Sequence, residues 1–192
     1  MSLPTPRNVA SSPTQDWAHG STQLLLAGPD PDAWQWRLSL ARINEDGRFS
    51  ACPATRRLLV PLDAPIALDQ QNVLRLRTIA FAGDPPPDCR LPEGPTRAFN
   101  LMLRDGVEGE LHARPIVGAM MLPARGQDAW FVFVVSGQVR ISRADESREL
   151  VAGDYLLIPS TDDRTILEGG GEIVTAKLTS ASQSPTQPLR AV

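Results

Sequence analysis

Short stretches of this chain are either alternately apolar and polar or continuously apolar, and glycine or proline separates one stretch from the next. Six stretches have this character, at 34–43, 57–62, 73–83, 99–103, 130–142 and 154–159. A period of two is typical of β-strands that bury one face. No segment combines a helical period with capping residues, so helices should be few and short. The pattern therefore predicts an all-β protein, built as a sandwich or a barrel.

The order of these stretches suggests two similar halves. The residues of 57–84 run as an apolar strand, a turn, a second strand, a polar stretch, a last strand and another turn, and 130–160 repeat that order. We predict a flexible N-terminal arm at 1–14, a first half at 15–106, a second half at 107–180 and a flexible tail at 181–192. Coincidental β patterning is the alternative to a tandem duplication.

Composition narrows the classes of function. The 192 residues are 42% hydrophobic and 21% charged, with a net charge of −3, which argues against a protein that binds nucleic acid through a basic face. No apolar run approaches the roughly 20 residues of a membrane span. The first residues lack the apolar core of a secretion signal. We therefore expect a cytoplasmic protein without nucleic-acid or membrane partners. Cys52 and Cys89 form no CxxC pair, and we interpret both as incidental thiols.

In the second half, five residues separate Gly153 from Pro159, and Arg164 follows Pro159 by five positions. This spacing resembles the second sequence motif of the cupins, which are small double-stranded β-helix barrels. In that motif the glycine makes the turn into a strand and the proline ends the strand at the barrel rim.

The positions that hold a metal in many cupins carry other residues here. By the motif's spacing, Arg164 replaces a histidine, Trp130 the carboxylate, and Ala124 and Gly126 the upstream histidine pair. None of these residues supplies the imidazole or carboxylate donors that such a site needs. The chain has only two histidines. We expect no metal and no other cofactor, and we assign no role to His112.

Several blocks stand in a fixed order along the chain: Trp36-Arg37, Asp46-Gly47, Phe49-Ser50, Arg57, Gly83-Asp84, Gly94-Pro95, Phe99-Asn100-Leu101-Met102 and Arg104. With these blocks, nearly the whole chain resembles the HutD/Ves family. The resemblance implies an all-β, cupin-like double-stranded β-helix, with two tandem β-barrels (a bicupin) packed as one unit and without the cupin metal ligands. Members of the family are associated with bacterial histidine utilisation or with stress-linked expression, and the resemblance implies no settled activity.

Four positions depart from the pattern of the family. His19 stands where the family has asparagine, Gln23 begins a replacement of Arg-Glu, Arg56 replaces an aspartate, and Ala98 replaces the aspartate before Phe-Asn. The polar lining that the family implies is thus changed, and the departures either retune a ligand or record its loss.

Polar side chains on the inner faces of strands suggest a binding site. Arg37, Arg57, Asn100 and Arg104 are expected to converge on one cleft of the first barrel, since alternate residues of a barrel strand point inward. His19 would join them if the arm folds across the cleft. Guanidinium groups in a partly apolar pocket suit a small carboxylate. The alternative is structural: these arginines bond backbone carbonyls, or pair with Asp46, Asp84 or Glu93.

The residues favour binding over catalysis. No Ser-His-Asp or Cys-His set and no phosphate-binding glycine loop is visible, and His19 is the one acid-base candidate near the family motifs. We predict a metal-free protein that binds a small anionic (carboxylate) metabolite in a regulatory or sensing role. A metal-free cupin enzyme, such as an isomerase or hydrolase of a carboxylated metabolite, is the second hypothesis. A scaffold that acts through subunit contacts is the third, and a homodimer is left open.

Overall fold

The computed structural model describes residues 2–104, 106–123, 128–160 and 163–180. Ala124 and Gly126, which stand at the expected histidine positions, and the predicted tail at 181–192 lie outside the described residues. Among those that are described, no helix is long and apolar enough to cross a membrane.

Strands dominate the described residues, which confirms the predicted all-β class. They are β1 (Arg7–Asn8), β2 (Thr14–Trp17), β3 (Gly20–Gly28), β4 (Trp36–Ile43), β5 (Gly47–Arg48), β6 (Arg56–Pro61), β7 (Ile66–Leu68), β8 (Gln71–Val73), β9 (Ile79–Ala82), β10 (Asp88–Arg90), β11 (Thr96–Leu103), β12 (Val107–Leu122), β13 (Asp128–Arg143), β14 (Glu146–Val151), β15 (Asp154–Ile158) and β16 (Thr165–Ser180). A single turn of 3-10 helix spans Val9–Ser11.

The first compact unit comprises Ser12–Val107. It contains a six-stranded antiparallel sheet in the order β2-β3-β4-β11-β6-β9 and a four-stranded sheet in the order β5-β10-β7-β8. Apolar residues of both sheets form one core cluster, which includes Ile43, Leu59, Ile66 and Leu68. The larger sheet matters most for function, because β4, β11 and β6 are its central strands and carry most of the candidate site residues.

The second compact unit joins the residues up to Ser11 to the chain from Glu108 onward. Its sheet has the order β1-β15-β13-β16-β12, and β14 also pairs with β13. Gly153, with a φ of +90°, makes the turn before β15, and β15 ends at Ile158, directly before Pro159. The turn and the strand end therefore lie where the cupin-like spacing predicts them.

The N-terminal segment is packed, where the sequence pattern predicts a loose arm at 1–14. Leu3 is buried in the core cluster of the second unit, and its backbone N donates to Glu146 Oε2 at 2.8 Å. Arg7 and Asn8 form β1 by pairing with Tyr155 and Asp154. The proline- and serine-rich sequence of the segment gives no sign of these contacts. The partners lie more than 140 positions away in the chain, so no local pattern includes them.

The predicted strand at 73–83 is two short strands instead. β8 ends at Val73 and β9 begins at Ile79. Between them, Arg77 N donates to Leu74 O at 3.0 Å, and Leu76 has a φ of +60°. The turn leaves Leu74 exposed, so the alternation of apolar residues there does not report a buried face.

Candidate functional site

Three of the predicted site residues meet on one face of the six-stranded sheet. Met102 of β11 pairs with Arg37 of β4 on one side and with Arg57 of β6 on the other. One step along the same face, Asn100 lies between Ser39 and Leu59. Because neighbouring strands are about 4.8 Å apart, the backbones of Arg37 and Arg57 are roughly 10 Å apart across β11. The site therefore begins as two cationic side chains that flank a methionine.

These side chains line a cavity of about 240 Å³, which we call the Arg37–Arg57 cavity. Its wall consists of Gln15, Trp17, Thr22, Arg37, Ser39, Ala41, Ile43, Phe49, Ser50, Ala51, Cys52, Arg57, Leu59, Asn100 and Met102. Every second residue of β4 from Arg37 to Ile43 belongs to it, as strand alternation requires. The wall contains no aspartate, glutamate or lysine. The two arginines are therefore cationic, and the other side chains of the wall carry no acidic or lysine group to balance or add to their charge.

Arg57 is the most buried charge of this wall, with 6% of its surface exposed. Its Nη2 donates to Asn100 Oδ1 at 3.2 Å and its Nη1 to Ser50 O at 3.5 Å, while Nε has no partner. The guanidinium carbon lies 5.2 Å from the ring centroid of Phe49 and 5.1 Å from that of Phe81. The pKa of Arg57 is lowered to about 10, chiefly by loss of hydration and to a smaller extent by the charge of Arg37, while Cys52 acts in the opposite direction. The group remains a cation at neutral pH.

Arg37 lies across β11 from Arg57 and shares one feature with it. Its Nε is buried without a hydrogen-bond partner. Across the described part of the chain, no carboxylate pairs with Arg37 or Arg57; Asp46, one of the acids considered as a partner, instead accepts from Leu91 N at 2.8 Å. A buried donor that is left unsatisfied costs on the order of 1–3 kcal/mol. Each of these two unsatisfied Nε donors therefore lowers the stability of the fold.

Arg104 is not part of this cavity, contrary to the predicted convergence. β11 ends at Leu103, so the alternation that places Asn100 and Met102 on the cavity face does not extend to Arg104. Its guanidinium stacks on Trp34 at 3.9 Å from the ring centroid, and Nη1 donates to Trp34 O at 3.2 Å. This exposed arginine lines a separate open hollow with Arg56. Its contacts are those of a residue that fixes the loop before β4.

His19 also lies outside the lining of the cavity. It follows β2, and its ring packs edge-on to Trp17 with the centroids 6.1 Å apart. The ring lies against Gly47, where a Cβ would stand 2.3 Å from the imidazole. Trp17 lines the cavity and His19 contacts the outer side of Trp17, so the imidazole supports the wall without forming it.

Sequence reasoning missed several members of the wall. Thr22 and Trp17 come from β3 and β2, which no alternation marked, and Phe49 to Cys52 form a loop that reaches the cavity only in the folded chain. Ser39 could have been found, because it shares the inward face of β4 with Arg37. The sequence predicts a buried or incidental thiol at Cys52, and the structure places this residue at the wall of a cationic cavity.

The cupin metal positions that are described hold no cluster of ligands. Trp130 Nε1 donates to Pro123 O at 3.0 Å and the ring packs against the second core cluster. Arg164 is exposed, and His112 contacts only Glu110 at its Nε2. In the described ranges, no three residues among His, Cys, Asp and Glu lie together as a metal site would require.

A family model joins this geometry to known proteins. The HutD family model matches residues 9–175. The chain belongs to the HutD family. The match spans both units, so the Arg37–Arg57 cavity is a feature of a HutD-type protein.

Relatives of this HutD-family chain come from Pseudomonas. An uncharacterized 21.2 kDa protein in the hutC 3′ region of Pseudomonas putida is 31% identical over 100 residues, which is 47% of this chain. The match spans about half the length of that relative, 53%. HutD from Pseudomonas fluorescens SBW25, solved in a formate condition, aligns with a TM-score of 0.74 and 24% identity over 93% of this chain and 99% of its own. A conserved protein of unknown function from Pseudomonas aeruginosa PAO1 aligns with a TM-score of 0.79 and 24% identity over 91% and 98%.

The fold extends to the cupins. A cupin conserved barrel-domain protein from Leptotrichia buccalis aligns over 94% of this chain with a TM-score of 0.57. Oxalate decarboxylase aligns over the same share with a TM-score of 0.66 at 7% identity. The predicted cupin-like bicupin fold is thereby confirmed, and at these identities the likeness concerns the fold alone.

Proposed function

We propose that this HutD-family protein binds a small carboxylate metabolite in the Arg37–Arg57 cavity and that binding serves a sensing or regulatory role. The ligand's carboxylate would accept hydrogen bonds from the guanidinium groups of Arg37 and Arg57, and the remainder would contact the apolar wall. A location in the cytoplasm belongs to the same proposal, because a metabolite sensor must meet its ligand there.

One observation carries this proposal: two guanidinium groups face one cavity whose wall contains no acid. Charge-assisted bonds from arginine to a carboxylate are stronger than neutral hydrogen bonds and fix its orientation. A phosphate would take the same donors, so the test includes inorganic phosphate. The lining offers no imidazole, carboxylate or lysine as an acid-base catalyst, which favours binding over turnover.

The experiment is a thermal-shift screen with formate, acetate, glutarate, glutamate, histidine, urocanate and phosphate. A carboxylate present at 100 times its Kd stabilises the fold by about 2.7 kcal/mol and raises Tm accordingly. Arg37→Gln should weaken the binding of the best acid by about tenfold or more, because it removes hydrogen bonds to a charged group worth about 1.5–3 kcal/mol.

Arg42→Gln is the matched control. Arg42 lies on the same strand as Arg37 but is exposed and does not line the cavity. Its variant should bind as the native protein does. The proposal fails if no acid raises Tm, or if the two arginine variants lose affinity equally.

A further inference from the structure

Cys52 lies at the wall of the Arg37–Arg57 cavity, in the loop between β5 and β6. The residue is half-buried. The loop is held in place, since Cys52 N donates to Gly83 O at 2.7 Å and Gly83 N to Thr55 O at 2.8 Å. The position of the thiol is therefore fixed relative to the sheet that carries the arginines.

The sulfur itself has one described contact. Sγ donates to Thr55 Oγ1 at 3.3 Å, and that hydroxyl in turn donates to Pro53 O at 3.1 Å. A thiol is a weak donor, so this bond costs little to break. No disulfide engages the sulfur. Cys52 is thus a free thiol in a residue that lines the cavity.

A buried guanidinium group, that of Arg57, lines the same cavity as this thiol. Arg57 is more than nine-tenths buried, lines the same cavity and has an unpartnered Nε. Its charge and the thiol are close enough to interact electrostatically. Arg37 adds a second cation with no acid in the wall to neutralise it. Such a field concentrates anionic reagents next to the sulfur.

We propose that Cys52 is a covalent modification site selective for electrophiles that carry a carboxylate next to their reactive carbon. The arginines hold the carboxylate, and this part rests on the function proposed above. The sulfur then attacks the adjacent carbon. With iodoacetate as the probe, an S–C bond forms and the C–I bond breaks, iodide leaves with the bonding electrons, and the thiol proton passes to solvent. Because the cavity would hold the reagent in a fixed orientation, its reaction with the thiol is faster than one that depends on random collision.

The test compares iodoacetate with iodoacetamide, which have the same leaving group and differ in charge. Peptide mapping of the native protein gives the alkylation rate at each cysteine. We expect the iodoacetate-to-iodoacetamide rate ratio at Cys52 to exceed that of free cysteine by at least tenfold. Arg37→Gln should abolish the preference, Arg42→Gln should leave it unchanged, and excess acetate should protect Cys52 in the native protein.

Cys89 is an internal control in the same molecule. It is 1% exposed, and burial raises the pKa of its thiol to about 12, so it should stay unmodified by both reagents while the fold is intact. Alkylation of Cys89 at the rate of Cys52 would show that the protein has unfolded. In that case the experiment is repeated at a lower reagent concentration, and protection of Cys52 by acetate in the native protein tests the proposal.

Two results overturn the proposal: a rate ratio at Cys52 equal to that of free cysteine, or no protection by acetate. The Cys52→Ser variant separates this failure from failure of the carboxylate site. If Cys52→Ser and the native protein both show the acid-induced rise in Tm but the rate ratio is ordinary, only covalent selectivity is wrong. If neither protein shows the rise and the ratio is ordinary, both proposals are wrong.

Discussion

Arg57 holds a positive charge where most of its hydration has been removed. Its compensation is partial: one amide oxygen, one distant backbone carbonyl and the faces of two phenylalanine rings. Cation–π contacts are worth about 0.5–2 kcal/mol each, less than the cost of dehydrating a guanidinium. Dehydration of Arg57 therefore lowers the stability of the fold. The proposed carboxylate site would account for this cost, because a bound anion would compensate the charge.

The pKa of Arg57 gives a prediction at this scale. A bound carboxylate favours the protonated guanidinium, so the pKa in the complex is higher than the value of about 10 in the free protein. Complex formation therefore takes up a proton above that pH. We expect the affinity for the best acid of the screen to be flat between neutral pH and about pH 9, and then to fall by up to tenfold per pH unit above about 10.

Isothermal titration at increasing pH measures this, with circular dichroism as the check that the fold persists. Arg42→Gln, whose change lies outside the cavity, should give the same profile as the native protein. An affinity that rises above pH 10 would contradict a role for the protonated Arg57.

At the scale of elements, β16 is a strand that the pattern of apolar and polar residues does not predict. It pairs with β13 along nearly its whole length, yet it contains three successive glycines at 169–171. A Cβ on Gly171 would lie 2.0 Å from Ser136 O, and one on Gly169 would lie 2.2 Å from Gln138 O. The close approach follows the irregular register of β13 between Val134 and Ser136. Glycine here permits pairing, although glycine runs usually indicate turns.

A pair of alanine substitutions tests this account. Gly171→Ala would place a methyl group against backbone at a φ of +141°, and we expect a loss of roughly 1–3 kcal/mol or more in unfolding free energy. Gly170→Ala is the matched control, because its Cβ would meet nothing within 4 Å and its φ needs no glycine. That variant should stay within about 0.5 kcal/mol of the native protein. Urea denaturation gives both values, and equal losses would refute the close-approach explanation.

At the scale of the whole molecule, the chain begins in the unit where its second half lies. Residues up to Ser11 belong with the chain from Glu108 onward, while Ser12–Val107 form the other unit. The anchor of this arrangement is Leu3, whose backbone O accepts from Arg148 Nη2 at 3.0 Å and whose side chain enters the second core cluster. A division at the midpoint of the sequence would miss this exchange.

Two leucines test the anchor. Leu3 is 3% exposed and Leu74 is 64% exposed. Leu3→Ala should lower the unfolding free energy by roughly 2–5 kcal/mol, as do other buried leucine truncations. Leu74→Ala should change it by no more than about 0.5 kcal/mol, since it removes no buried contact. Differential scanning calorimetry checks both variants. A Leu3→Ala protein as stable as Leu74→Ala would mean that the N-terminal segment is not anchored in solution.

Part of the site could be predicted because it follows from strand periodicity. The alternation around Asn100 and around Arg37 places these side chains on one face, and the same logic applied to Arg57 brings three residues together. The expected position of Arg104 in the cleft differs from the structure because its strand ends one residue earlier, and nothing in the local pattern marks that end. The expected position of His19 differs because the packing of its ring against Gly47 depends on a contact between β5 and the turn after β2.

The sequence alone determined the β character of the chain, its cupin-like family and the inward face of its central strands, because period-two alternation and ordered motifs are local properties. Tertiary structure decided which elements meet: β4, β11 and β6 side by side, the Cys52 loop at the cavity wall, and Leu3 in a core formed by residues more than a hundred positions away. Those pairings depend on burial and hydrogen bonding summed over the whole fold, and no short window of sequence contains that sum.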